Sequence, residues 1–274
     1  MTVEHQAELA ALAKAIRLDT LTMVHRAKAS HVGSCFSTAE ILAVLYGDVL
    51  RVDPKNPRWA DRDRFILSKG HAAAIVYAVL AERGFFPRRD LTEYCVDGSS
   101  LTGHLSHHVP GVEISTGSLG HGLPIGCGMA LAAKRAGRPY RVFVLLSDGE
   151  LDEGSNWEAI LFAPQHRLDN LVAIVDYNKI QAFGMVQEVL DLAPLADKFR
   201  AFRWGVREVD GHDVSALSEL VHQAPFEAGR PSVLIAHTVK GKGVSFMENQ
   251  LAWHAKSPNA EQLAQAIREL EEKP

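Results

Sequence analysis

The residues of this chain best placed to do chemistry are oxygen ligands at the ends of apolar runs. Asp148–Gly149 follows "YRVFVLLS" and Asn178 follows "NLVAIVDY". Gly149 and Asn178 are separated by 28 residues, enough for a loop, a helix and a returning parallel strand. Open α/β sheets bind ligands outside the carboxyl ends of their strands, where both residues would fall. A carboxylate, an amide oxygen and a nearby loop carbonyl form a half-shell of hard ligands. That set suits Mg²⁺, which completes its octahedron with phosphate oxygens and water. Gly149 would let the backbone approach a phosphate, and the N-terminal amides of a helix near Asn156 would point to the same place. Plainer uses exist: Asp148 could cap a helix and Asn178 could make a turn.

Thirteen histidines offer a second kind of chemistry. His104, His107 and His108 crowd into "GHLSHHVPG", but they lack a helical i, i+4 pair or a carboxylate in register, so zinc is not expected. His31 in "SHVG", His71 in "SKGH" and His104 in "TGH" stand in loops where an imidazole could hydrogen-bond oxygens and relay protons near pH 7. His254 in "WHAKSP" reads either as a donor to a bound ligand or as a ring packed beside Trp253. His121 and His212 read as turn residues. Lys69, Lys240 and Lys242 read as solvated loop lysines. "TVKGKGVSF" reads as a lid that orders over a ligand.

The elements that must position these groups are short β-branched runs alternating with helical ones. "DRFILS", "YRVFVLLS", "NLVAIVDY" and "PSVLIAHTV" predict four buried strands. Helices are predicted over 5–28, from Ser37 with Glu40 in a capping box, over "AAAIVYAVLAERG", "PIGCGMALAAKRAG", Asn156–His166 and Val214–Gln223 with Asp213 as cap, and at the amphipathic C-terminal "AEQLAQAIRELEEKP". Leu101–Gly128 reads as loop, rich in Gly and His. Buried strands alternating with helices predict a doubly wound, mainly parallel α/β sheet flanked by helices, and residues 1–274 read as one domain. The small residues of Gly126–Ala133 predict a close helix contact at a subunit interface.

Net charge is −4, with Lys and Arg scattered along the chain, which speaks against a nucleic-acid partner. Three cysteines without a C-x-x-C pair read as reduced thiols, and no run is long enough for a membrane span, so a cytoplasmic protein is expected. No G-x-G-x-x-G stands between a strand and a helix, against a nicotinamide dehydrogenase.

Beyond single residues, the chain resembles transketolase. "SHVG", "LSKGHA", "GVEISTGSLGHGLPIGCGMALA", "SDGELDEGSNWEA", "DYNKIQ" and "HTVKGKGVSFMEN" occur in that family's order from about residue 30 to 255. The resemblance is to the N-terminal, diphosphate-binding third, the thiamine-diphosphate-binding fold. It implies that Asp148, Asn178 and the backbone carbonyl of Ile180 bind Mg²⁺, or Ca²⁺ or Mn²⁺ in its place. Gly149 would contact the diphosphate of thiamine diphosphate, and Gly117 and Leu119 would line its aminopyrimidine end. Glu153 would lie at the interface near the partner's catalytic glutamate. His31, His71, His104 and His254 would be the catalytic histidines. One departure is visible: Ser147 stands where the family usually has glycine before the aspartate.

The resemblance also implies what must come from elsewhere. The pyrimidine-binding domain, its catalytic glutamate and the arginines that grip a sugar phosphate are expected on a second, C-terminal subunit. The expectation is a split transketolase that moves a two-carbon ketol unit from a ketose phosphate to an aldose, with self-association into a heterotetramer and no membrane partner. A non-catalytic or regulatory subunit of the same fold, or another two-subunit thiamine-diphosphate enzyme, are the alternatives.

Overall fold

The computed structural model describes residues 1–272. Among the described residues seven strands form: β1 Arg64–Leu67, β2 Val142–Ser147, β3 Leu171–Tyr177, β4 Ile180–Gln181, β5 Gly184–Met185, β6 Gly205–Asp210 and β7 Ser232–His237. Five build one sheet in the order β1-β2-β3-β7-β6, every pairing parallel. The short β4 and β5 pair antiparallel as a hairpin.

Period-two alternation divides the sheet between two apolar cores. Phe65, Leu67, Phe143, Leu145, Val172, Ile174 and Leu234 face one cluster, packed under the helices Val3–Ala27, Ala39–Val44 and Ala73–Glu82. Ile66, Val144, Leu146, Ala173, Val175, Val233 and Ile235 face the other, under Gly122–Arg135, Gly154–Gln165 and Leu195–Ala201. Both faces of the parallel sheet are therefore covered, as the uninterrupted apolar runs require. The predicted α/β architecture holds.

The differences from expectation are local. Helix Ala39–Val44 is preceded by Thr38, while Ser37 ends the short helix Val32–Phe36. Ser37 instead donates to Asp176, and Glu40 is buried against Arg17. The loop predicted to run to Gly128 ends at His121, where helix Gly122–Arg135 starts. Gly126 packs on the chain's own sheet, since a Cβ there would lie 2.6 Å from Val144. Strand β6 was not expected, because "GVREVD" carries charges on an edge strand with an exposed stretch. The "TVKGKGVSF" segment is packed down, with Lys240 and Val244 buried. Asp213 does cap helix Val214–His222, accepting from the amides of Ser215 and Ala216. The C-terminal helix runs Ala260–Glu272, and the last two residues of that predicted stretch lie outside the described residues. No helix among the described residues is long and apolar enough to cross a membrane.

Candidate functional site

Parallel strands put all their carboxyl ends on one edge, and the candidate site lies along it. Ser147 pairs in register with Asp176, so Asp148 and Asn178, just past the ends of β2 and β3, become neighbours. All eleven residues singled out from the sequence line one cleft of about 350 Å³ there: His31, His71, His104, Gly117, Leu119, Asp148, Gly149, Glu153, Asn178, Ile180 and His254. A larger cavity, about 450 Å³, borders Arg17, Glu40 and Lys242. The Arg17 and Glu40 charges there are already paired with each other, which makes the smaller cleft the candidate.

Asp148 is buried, and its carboxylate accepts from the backbone amides of Gly149, at 2.8 Å, and Lys179. Burial, reinforced by the nearby Asp176 charge, pushes its carboxyl up to about 6. Asn178 Oδ1 accepts from the Ile180 amide at 3.1 Å while its Nδ2 donates to Asp176 at 2.9 Å. The Ile180 carbonyl accepts from Lys240 Nζ at 2.9 Å. A buried carboxylate served by backbone donors, beside an amide oxygen and a carbonyl, fits a small divalent cation. Among the described residues no group of three His, Cys, Asp or Glu is placed to hold a metal.

Gly149 has a reason to be glycine within this chain: a Cβ there would meet Gln181 Cβ at 2.7 Å. The turn after it is a 3₁₀ segment, Gly149–Asp152, and the helix read as Asn156–His166 begins two residues earlier, at Gly154. The cleft wall here is formed by Gly149, Asp152 and the exposed Glu153, the last of these being the residue that precedes the helix expected near Asn156. Asn156 is buried and donates to the Glu150 carbonyl at 2.6 Å.

Four histidines gather at the other side of the cleft. Ring centroids of His31 and His71 lie 5.1 Å apart, His31 and His254 5.3 Å, and His31 and His104 6.0 Å. Gly70 lets the "SKGH" turn pass under "STG": a Cβ would lie 2.4 Å from the Thr116 carbonyl carbon. His254 does not simply pack beside Trp253. Its Nδ1 lies 2.9 Å from Lys240 Nζ, and its carbonyl accepts from the His31 amide. Burial, then His104 and the side chains of Lys240 and Lys69, bring His31 down to about 4. Burial, then Lys240, brings His254 to about 3. His71 is held well below the usual range, by burial first and then Lys69. These three imidazoles are neutral at pH 7, able to donate or accept without bringing charge.

Two lysines read as solvated are the opposite. Lys69 is fully buried and pairs with Asp176 at 2.5 Å, and Lys240 is 1% exposed. Burial, then Lys69, lowers Lys240 to about 8. A signal for the first pair was present. Asp176 interrupts the apolar run "NLVAIVDY", and an acid inside a parallel strand needs a buried partner. His121 stays a turn residue, its Nδ1 2.9 Å from the Leu119 carbonyl. His212 is more than that: it bridges Glu40 and the Val239 amide.

The family model "Transketolase, thiamine diphosphate binding domain" matches residues 9–274. The chain is 43% identical to an apulose-4-phosphate transketolase subunit of Phocaeicola vulgatus over 92% of this chain and 89% of that protein. It is 42% identical to the 6-deoxy-6-sulfo-D-fructose transketolase subunit SqwG of a Clostridium species over 98% of each. Among solved structures, the transketolase of Campylobacter jejuni superposes with a TM-score of 0.90 at 31% identity, covering 99% of this chain but 43% of that one. The chain belongs to the transketolase family, as its thiamine-diphosphate-binding domain. It matches subunit-length relatives almost end to end and spans less than half of the solved transketolase chain.

Proposed function

We propose that residues 1–274 form a single domain that is one subunit of a two-chain, cytoplasmic transketolase. Subunit-length relatives named as transketolase subunits support this reading. The observation that carries it is the convergence of Asp148, Asn178, Ile180 and four histidines on one cleft. Asp148, Asn178 and the Ile180 carbonyl would hold Mg²⁺, with Gly149 against the diphosphate and Gly117 and Leu119 toward the pyrimidine. When bound, thiamine diphosphate supplies the nucleophilic carbon and electron sink for breaking and remaking a carbon–carbon bond beside a carbonyl.

This chain's residues orient and manage protons. His31, His71, His104 and His254 present their imidazoles to the hydroxyls and carbonyl oxygen of a sugar, donating where negative charge grows and accepting where a proton leaves. Lys240, held between His254 and Ile180, keeps a positive charge at the diphosphate end. The second subunit would supply the pyrimidine pocket, the catalytic glutamate near Glu153 and the grip on a sugar phosphate. The reaction is transfer of a two-carbon ketol unit from a ketose phosphate to an aldose, within a heterotetramer of two copies of each chain. The test is turnover with a ketose phosphate donor and an aldehyde acceptor. Activity is expected only when the second chain is present, and turnover by the pure single chain refutes the two-chain reading.

A further inference from the structure

The loop that carries Gly117 and Leu119 belongs to no sheet ladder, yet it must hold its place against the strand ends. We infer that Glu150 is the residue that positions it, fixing the Gly117–Leu119 loop relative to Asp148–Gly149 and so the separation of the two ends of the cofactor cleft. The inference rests on the thiamine-diphosphate reading and adds a residue to it.

Glu150 follows Asp148–Gly149 but turns inward, fully buried. Its Oε1 accepts from the hydroxyl of Ser68, at the end of β1, and from the Gly120 amide at 3.0 Å. Its Oε2 accepts from the amide of Ser147, the last residue of β2, at 3.2 Å. One carboxylate thus joins two strand ends to the loop. The loop is gripped on its other side too: Ser155 Oγ donates to the Gly120 carbonyl at 2.7 Å, and the Gly122 amide donates to Ser68 Oγ at 3.1 Å. A Cβ on Gly120 would lie 2.5 Å from Ser155 Oγ, and one on Gly122 would lie 2.3 Å from Ser68 Oγ. No residue with a side chain fits inside this clamp without moving it.

All three groups that hydrogen-bond the carboxylate are neutral donors. A buried carboxylate without a bonded cation is costly, and core packing alone would be better served by an apolar side chain. What a carboxylate does here, and an amide cannot, is accept on both oxygens at once. Glutamine would turn its NH₂ toward either Gly120 or Ser147, leaving one buried amide N–H facing another donor. Such an orphaned donor corresponds to about a 5- to 150-fold loss in the equilibrium it supports.

The test is Glu150→Gln, with Ser68→Ala as a second variant that keeps the carboxylate and removes one donor. Hydrogen exchange on the chain alone should quicken about tenfold or more over residues 117–122, with the β3 amides, and those of β2 apart from Ser147, unchanged. In the two-chain complex, thiamine diphosphate with Mg²⁺ should bind about tenfold more weakly. Inorganic diphosphate with Mg²⁺ should change by no more than about twofold, the spread expected of an independent site. Ser68→Ala should shift loop exchange and cofactor affinity in the same direction. Unchanged loop exchange, uniformly faster exchange across the sheet, or equal weakening for both ligands overturns the inference. A wild-type complex that binds inorganic diphosphate but not thiamine diphosphate refutes the cofactor reading itself, and with it this role for Glu150.

Discussion

Replacing Lys69 with methionine is the sharpest perturbation available near the site. Lys69 and Asp176 are both fully buried with 2.5 Å between Nζ and Oδ2. Asp176 also accepts from Ser37 at 2.7 Å, from Asn178 at 2.9 Å and from Thr238, while Lys69 donates to the Ser34 carbonyl at 2.9 Å. Methionine keeps the stem volume and removes the charge, leaving a carboxylate stranded under neutral donors. Breaking one side of a buried pair costs about 3–5 kcal/mol, which in a chain of this size lowers Tm by about 6–20 °C. The loss has a pH signature. Asp176 sits below its ordinary range; burial opposes this, and the Lys69 charge with its hydrogen bonds outweighs it. A carboxyl depressed in the folded state contributes stability above its unfolded value, lost as pH falls. Without Lys69 burial wins, the folded carboxyl rises above the unfolded one, and the variant's deficit grows as pH climbs past about 4. Circular dichroism melts at pH 7 and near pH 4 would show a large gap at the higher pH and a smaller one at the lower. Adding Asp176→Asn should recover part of the pH 7 loss. A Tm for Lys69→Met within about 2 °C of wild type at pH 7 would sink the reasoning, because a stranded interior charge cannot cost so little.

Four further outcomes are expected. By NMR of labelled histidines, His31 and His254 should stay neutral from pH 8 to 5, titrating only near about 4 and about 3; a midpoint near 6.5 for either contradicts the buried cluster. In Lys240→Met, the His254 midpoint should rise, since Lys240 adds to the burial that depresses it. Glu40 is raised by burial but carried down to about 2 by Arg17 and His212. Its share of stability is therefore complete above about 4.5 and lost as pH falls toward 2, so Glu40→Gln should flatten acid unfolding in that window. Gly70→Ala should cost about 1–3 kcal/mol by overpacking against Thr116, measured by urea unfolding, and a neutral result contradicts the close crossing of the two loops.

Much of the fold was legible because parallel strands buried on both faces leave long apolar runs, as in "YRVFVLLS" and "NLVAIVDY". Strand β6 was hidden for the opposite reason: on the sheet edge its Arg207 and Glu208 stay exposed, and the run reads as loop. Asp148, Asn178 and the loop histidines were legible because strand ends and short motifs mark them. Lys69, Lys240 and Glu150 were not, because lysines and glutamates are usually solvated, and only tertiary pairing shows that these are buried. Ser37 misled in a similar way: a cap pattern by sequence, its hydroxyl is drawn to Asp176, which lies 139 residues away in the chain.

The central claim is that this cleft holds thiamine diphosphate through a divalent cation, at a site completed by a second chain. Titration calorimetry tests it most directly, with the chain alone and then with its second subunit, each with Mg²⁺ and with a chelator. The account predicts saturable binding in the two-chain complex that disappears when the metal is removed and is lost in Asp148→Ala. Binding that ignores the chelator, or no binding in any combination, contradicts it.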